Sequence, residues 1–214
     1  MIDLLKNYIT DGYIEIINIR GKNISQMLFF QNTFDKYKNE CNWIAYFDID
    51  EYLEFVDKNI TINEFLSDNK FKRCQAIKIK WLMFNDNELI YYDNRLLQER
   101  FTKSYYYIND TRTVKTILRG KTYKNPWIDS AGPHEPSKII KSCNSLGNFS
   151  PFNGGIIDPP IYKFCYIKHY SIKSTEEFAY KILKGFCGNV FNIEDRINYY
   201  FKIYNFNYKK LALL

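Results

Sequence analysis

The sequence predicts a single α/β domain in which helices flank a mixed, mostly parallel central sheet. Three observations favour this fold class. The chain has 214 residues, which suits one core of this kind and is too short for two ordinary domains with a linker. Hydrophobic residues make up 46% of it and charged residues 25%, so a disordered, collagenous or coiled-coil chain is excluded. Helical and strand-like patterns alternate near the N-terminus, which indicates crossover units and a parallel sheet.

The N-terminal elements are justified in order by their patterns. Residues 2–10 carry apolar side chains at helical spacing, and residues 13–19 follow a turn and read as a strand. Ser25 can cap a second amphipathic helix. The near-continuous apolar run 43–47 then predicts a strand that is buried on both faces of a parallel sheet.

The second half of the chain differs, because strand candidates follow one another with few helices between them. We therefore expect a mixed or antiparallel arrangement there, with strands at 76–84, 89–92, 114–118 and 161–170. A long irregular region, 125–160, is rich in proline and glycine. Ser174 and Glu177 have the spacing of a capping box and predict a helix, and a further helix is expected from Ile193 to about Tyr204.

Charge, cysteine content and hydrophobicity limit which kinds of partner and which cellular location are expected for this chain. The net charge is +6, but the basic residues are spread along the chain and form no long run, so the sequence does not indicate a nucleic-acid-binding surface. A positive net charge does suit a small substrate that carries phosphate. The five cysteines form no C-x-x-C pair and are expected to be reduced. No apolar stretch approaches the roughly 20 residues of a membrane span, and the N-terminus is not a signal peptide. We expect a cytoplasmic protein, or one at the cytosolic face of a membrane.

The segment around residue 50 carries the strongest chemical signal. Asp48, Asp50 and Glu51 follow the apolar run 43–47, at the edge where α/β sheets bind ligands. Alternation along an extended chain points Asp48 and Asp50 the same way, so both can approach one Mg²⁺ or Mn²⁺ that also grips a diphosphate. The alternative is a chance D-x-D that merely caps the next helix.

Residues 43–52 resemble the W-[IV]-x-x-x-D-[IVT]-D-E-[FY] signature of nucleotide-sugar glycosyltransferases with the GT-A fold, in particular family 92 and its bacterial and viral relatives in the family 2 superfamily. Five further segments resemble that family's motifs in the same order. They are Trp81–Phe84 (W-x-x-F-G), Leu97–Phe101 (E-R-[FY]), Lys115–Arg119 (K-[TS]-[IV]-x-[RK]), His134–Pro136 (H-x-P) and His169–Phe178 (H-Y-x-x-K-S-x-E-E-F). The resemblance implies one GT-A-like, Rossmann-like catalytic domain over residues 1–214, and leaves open that it is the N-terminal fragment of a longer protein.

The resemblance also implies a donor site. Asp48 and Asp50 would hold the Mn²⁺ or Mg²⁺ that binds the donor diphosphate, with Asp50 the direct ligand. His169 would supply a further ligand, against the alternative of a structural histidine. Lys173 would touch the diphosphate. Gln26 is placed near the donor.

His134 has three interpretations: it is the metal ligand instead, it faces the acceptor, or it is a loop histidine exposed to water.

The chain departs from the family pattern at two places. Where relatives read F-G-x-S-G, this chain has residues 84–88, in which Asp86 or Glu88 could be the base of an inverting transferase. Both could equally be solvated turn residues. Glu99 is a further candidate, although its neighbour Arg100 suggests an ion pair. The family's first strand, with its D-N-x-S-x-D element, is missing, so nucleotide recognition is in doubt.

The expected function is therefore transfer of a sugar from a nucleoside-diphosphate sugar, UDP-hexose by preference, to a saccharide or glycoprotein hydroxyl. The alternative from another class is a catalytically impaired module of the same fold that binds carbohydrate or nucleotide sugar. A metal-dependent phosphoryl-transfer enzyme or nuclease ranks last, because no phosphate-cradling glycine loop accompanies the acids. The resemblance places part of the 18% aromatic content around the acceptor cleft: Trp81, Phe84, Tyr91, Tyr92, residues 105–107 and Trp127.

Overall fold

The fold is given by a computed structural model that describes residues 2–22, 24–105, 113–121, 125–127, 130, 132–151, 161–184, 194, 195 and 198. The helices in these ranges are α1 (Ile2–Thr10), α2 (Gln26–Tyr37), α3 (Ile62–Ser67), α4 (Leu97–Arg100) and α5 (Thr175–Lys184), with a 3₁₀ turn at Asn69–Phe71. The strands are β1 (Trp43–Ala45), β2 (Glu51–Phe55), β3 (Ala76–Phe84), β4 (Ser104–Tyr105), β5 (Val114–Arg119), β6 (Ser142–Asn144) and β7 (Cys165–His169).

Strand β3 is the centre of the sheet. Its first half pairs with β5 antiparallel and with β6 parallel, and its second half pairs with β7 parallel and with β4 antiparallel. β1 extends the sheet beyond β5, and β2 extends it beyond β7, so the order is β1-β5-β3-β7-β2. Two strand ends that are distant in sequence, those of β3 and β7, therefore lie side by side and run the same way.

The mixed sheet flanked by helices is confirmed, and so is the mixed character of the second half. A mostly parallel sheet is not confirmed: within the described ranges, β3–β6 and β3–β7 are parallel and the other four pairings are antiparallel. Residues 13–19 form no strand, and Ile16 and Ile17 are exposed, so no crossover unit starts there. The prediction that residues 43–47 form a strand buried on both faces of a parallel sheet is wrong. Strand β1 is only three residues long, none of them is buried, and it lies at the sheet edge, antiparallel to β5.

The predicted N-terminal caps of two helices, α2 and α5, are confirmed. The Ser25 hydroxyl accepts a hydrogen bond from the Leu28 amide at 3.2 Å and caps α2. Ser174 and Glu177 form the reciprocal bonds of a capping box at the start of α5. The helix predicted from Ile193 lies almost entirely outside the described residues.

Apolar side chains pack on both faces of the sheet. One cluster contains Phe71, Ile77, Ile79, Ile117 and Ile167. A second contains Phe34, Tyr46, Ala76, Leu118 and Trp127, and a third contains Leu82, Phe84, Phe101 and Tyr170. Within the described residues, no helix is both long and apolar enough to cross a membrane.

The prediction of five reduced cysteines is wrong for two of them, since Cys74 and Cys143 are disulfide-bonded. Parallel pairing of β6 with β3 brings the two together from 69 positions apart, which spacing alone could not reveal. Cys41 is exposed and free, Cys165 is buried and free, and Cys187 lies outside the described residues. The cysteines therefore no longer support a reducing compartment.

Candidate active site

The three acids lie in a tight turn between β1 and β2. The Glu51 amide donates to the Asp48 carbonyl at 3.0 Å, and the Glu51 carboxylate accepts from the Asp48 amide at 3.1 Å. This reciprocal pair fixes the turn and starts β2 at Glu51. Glu51 thus has a structural role that the D-x-D pattern did not reveal.

His169 comes to the same place from the far end of the chain. It is the last residue of β7, where it lies opposite Glu51 on β2 and beside Met83 on β3. Its Nε2 is 3.9 Å from Asp50 Oδ1 and 3.9 Å from Glu51 Oε1. Its ring packs against Trp81 with centroids 4.1 Å apart. Burial lowers the pKa of His169 to about 3, so the imidazole is neutral at physiological pH.

Two lysines balance the acids. Lys115, fully buried on β5, places its Nζ 2.8 Å from Asp48 Oδ2 and 3.5 Å from Glu51 Oε1. Lys173 places its Nζ 3.4 Å from Asp50 Oδ2. Burial raises the pKa of Glu51 to about 7, while the Lys115 charge opposes that rise. The sequence identifies Lys115 only as part of a motif. The signal for a site role was a charged residue in a predicted strand, 114–118, whose other residues except Thr116 are apolar.

The donor set can be tested against a divalent cation. Within the described part of the chain, no group of three or more His, Cys, Asp or Glu side chains is arranged to hold a metal ion. Asp50 and His169 nevertheless present an oxygen and a nitrogen 3.9 Å apart. Two ligands that each lie about 2.1 Å from one ion are roughly 3 to 4 Å apart, so this pair fits one cation whose other positions are filled by phosphate and water. The Asp48 carboxylate is engaged by Lys115 instead and is half exposed.

A comparison with protein-family models matches residues 1–146 to glycosyltransferase family 92, which is more than half of the chain. The chain belongs to glycosyltransferase family 92. A search of curated proteins finds no match. The matched range contains the acids, Lys115 and His134, whereas His169 and Lys173 lie beyond it. Their place beside Asp50 follows from the β2–β7 pairing.

His134 of this family 92 chain is half-buried, so its interpretation as a loop histidine exposed to water is wrong. Its Nδ1 lies 3.2 Å from the Val114 carbonyl, and its ring meets Trp81 edge-on at 5.0 Å. Burial lowers the pKa of His134. Trp81 therefore contacts both histidines, and its ring belongs to the site wall.

The two candidate bases of the family 92 chain lie just beyond the end of β3. Asp86 is buried, and its Oδ1 accepts from the Glu88 amide at 3.0 Å. Glu88 is exposed, with Lys103 4.0 Å away. Both belong to a turn, as expected, but Asp86 is not solvated. Since β3 and β7 run parallel and Met83 pairs with His169, this turn and the acids share one edge of the sheet.

Glu99 and Arg100 do not form the suggested pair. The Glu99 carboxylate accepts from the Leu96 amide at 3.3 Å. The buried Arg100 guanidinium instead binds Glu177 through two bonds of 2.7 and 3.2 Å. Gln26 is half-buried and is the first residue of α2, and its place near the donor stays a prediction.

The N-terminus of α5, next to Lys173, is already occupied. The Thr175 and Glu176 amides donate to the carbonyls of Leu89 and Ile90 at 3.0 and 2.9 Å. The prediction of a strand at 89–92 is therefore wrong. The first two carbonyls of this segment accept hydrogen bonds from the first amides of α5 instead. A phosphate near Lys173 would meet the lysine charge and not free helix amides.

Lys173 also has a backbone φ of +64°, a conformation that costs a residue with a Cβ about 1 kcal/mol or more. We therefore expect Lys173→Gly to be more stable than Lys173→Ala by about 1 kcal/mol, since both remove the ammonium and only glycine relieves the backbone. Urea unfolding of the two variants measures the difference. Equal stabilities would show that the left-handed backbone carries no cost here.

Proposed function

We propose that this family 92 chain is a metal-dependent, inverting hexosyltransferase. It would move a hexose from UDP-hexose to a hydroxyl of a saccharide or glycoprotein glycan. The observation that carries the proposal is the approach of His169 to Asp50, at 3.9 Å, beside two lysines at one edge of the sheet. This arrangement unites one oxygen ligand, one neutral nitrogen ligand and cationic partners for phosphate oxygens.

Each residue has a role in this proposal. Asp50 and His169 would hold Mn²⁺ or Mg²⁺, which when bound supplies a Lewis acid that neutralises charge on the departing nucleoside diphosphate. Lys173 would donate to the diphosphate, and Asp48, with Gln26, would line the donor side. Lys115 orients Asp48 through its 2.8 Å contact.

Asp86 is the better candidate for the base, because it is buried at the end of β3 while Glu88 is exposed. Its Oδ1 is held by the Glu88 amide, so the carboxylate is fixed at the end of β3, on the edge of the sheet that carries the acids, where a base could receive the proton of a sugar hydroxyl. Inversion follows if that hydroxyl attacks from the side opposite the leaving diphosphate.

A second candidate is a module that binds nucleotide sugar and turns it over poorly. Two contacts favour it: Lys115 already neutralises Asp48, and Lys173 already neutralises Asp50. Acids that are paired with lysines have less need of a cation.

A panel of nucleotide sugars, tested for thermal stabilisation with and without manganese and for hydrolysis or transfer of a labelled hexose, decides between the two. The transferase predicts that UDP-hexose raises the melting temperature only when manganese is present, and that labelled hexose is released or transferred. Stabilisation without metal and without turnover would support the binding module. If no nucleotide sugar stabilises the chain, both candidates are wrong.

A further inference from the structure

A cleft of about 440 Å³ opens beside Lys173, between α5 and Tyr92 at the end of segment 89–92. Its walls include two tyrosines, three lysines and a glutamate: Tyr92, Lys173, Glu176, Tyr180, Lys181 and Lys184. We propose that this cleft is the subsite for the saccharide acceptor, with Tyr92 and Tyr180 as the rings that contact the sugar. Its part in transfer rests on the proposed function, but its capacity to bind saccharide does not.

Tyr92 is exposed yet held in place. The Arg100 guanidinium carbon lies 5.3 Å from the centroid of its ring, and Glu177 fixes that guanidinium with two bonds. The Tyr92 amide donates to Glu176 Oε2 at 2.7 Å. Although it is anchored in this way, 61% of the residue remains accessible. A ring that is ordered before binding loses little conformational entropy when a ligand stacks on it.

Tyr180 supplies the second ring, from α5, four residues after Glu176, and is 71% exposed. Large exposed rings that line a concave, polar-rimmed surface indicate a ligand site. Sugars suit such a surface, since their C–H faces pack on aromatic rings and their hydroxyls reach polar side chains at the rim.

The charges of the cleft favour a ligand rich in oxygen. Glu177 is engaged by Arg100 and Ser174, and Glu176 by the Tyr92 amide. Three lysines stand on the same walls, and one of them, Lys181, donates to the Ser171 carbonyl at 3.1 Å. Ammonium groups donate to hydroxyl and carboxylate oxygens and repel a cationic ligand.

Lys173 links the cleft to the acids. It lines the cleft, and its Nζ lies 3.4 Å from Asp50 Oδ2, so a saccharide bound against Lys173 would lie next to Asp50. This is where a hexose on a bound diphosphate would meet an acceptor hydroxyl. A donor base could also stack on these tyrosines, and the experiment separates the two ligands.

The test uses the full chain on a printed array of neutral and acidic oligosaccharides, followed by kinetics with UDP-hexose. We expect Tyr92→Ala and Tyr180→Ala each to weaken array binding about tenfold, as the loss of an aromatic contact would. Tyr92→Phe should retain binding. The matched control is Tyr13→Ala, because Tyr13 is 80% exposed and does not line the cleft. Hydrolysis of UDP-hexose by water should stay unchanged in this control.

Circular dichroism and melting temperature establish that each variant is folded. The proposal is overturned if the native chain binds no oligosaccharide on the array, or if Tyr92→Ala weakens UDP-hexose binding and leaves array binding intact. If the tyrosines are needed for oligosaccharide binding but no nucleotide sugar is turned over, the cleft holds as a saccharide site while the proposed function fails.

Discussion

Replacing Asp50 with asparagine is expected to lower hexose transfer about a hundredfold or more and to abolish the manganese-dependent stabilisation by UDP-hexose. A metal acting as a Lewis acid contributes several kcal/mol to the transition state, and each 1.36 kcal/mol is about tenfold in rate. Asp50 and Glu51 each place an oxygen 3.9 Å from His169 Nε2, but the Glu51 side chain is fully buried and faces Lys115. Loss of the Asp50 carboxylate would therefore leave the cation with one protein ligand of the Asp50–His169 pair. Transfer of labelled hexose and a melting curve with and without manganese measure the two effects.

Two variants make this result specific. Asp48→Asn should have a smaller effect on manganese dependence, because the Asp48 carboxylate is engaged by Lys115 and is 47% exposed. Asp11→Asn removes a charge from an exposed acid just after α1 and should change neither measurement. If Asp50→Asn transferred hexose at the native rate, metal-assisted departure of the diphosphate would be wrong.

The acids were found from sequence because their signal is local. An apolar run that ends in Asp-x-Asp-Glu is visible within ten residues, and the turn that the structure shows is made by those residues themselves. His169 reaches the acids through the pairing of β7 with β2, and Lys115 through the pairing of β5 with β3. Motif order placed Lys115 and His169 in the same series of motifs as the acids, but it did not predict that Lys115 would face Asp48 and Glu51.

The fold errors have a related cause. Apolar content predicted that residues 43–47 are buried, but only Tyr46 is, and Ala45 is exposed. Apolar content also carried no information on which strand would pair with this segment. The edge position antiparallel to β5 follows from tertiary pairing. Strand β3 was predicted with its observed bounds because nine consecutive residues fit one long central strand.

The aromatic residues show the same limit. Of those assigned to an acceptor cleft, Trp127 and Phe84 are buried, whereas Tyr91 and Tyr92 are exposed. Tyr106 and Tyr107 lie outside the described residues. Residue type alone does not separate a core ring from a surface ring, since aromatic side chains serve both purposes.

Stability should depend strongly on a buried ion pair between Lys78 on β3 and Glu135. Lys78 pairs with Glu135, with side chains that are 0% and 2% exposed, and its Nζ also donates to the Pro151 carbonyl at 2.7 Å. Lys78→Met leaves the Glu135 charge without this partner, and Glu135→Leu leaves a buried ammonium with a carbonyl. Each single change should lower the free energy of unfolding by about 3 to 5 kcal/mol, the usual cost of breaking a buried pair.

The double variant Lys78→Met/Glu135→Leu should recover more than half of that loss, because removing both charges also removes the desolvation penalty of the remaining one. Urea unfolding of the native chain, the two single variants and the double variant closes the cycle. Lys58→Met, in the exposed Lys58–Glu54 pair, is the control and should cost less than about 1 kcal/mol. If the two single variants lost no more free energy of unfolding than this control, the Lys78–Glu135 pair would have to be accessible to water. Because Glu135 follows His134, which packs on Trp81, loss of the pair should also loosen the wall of the active site.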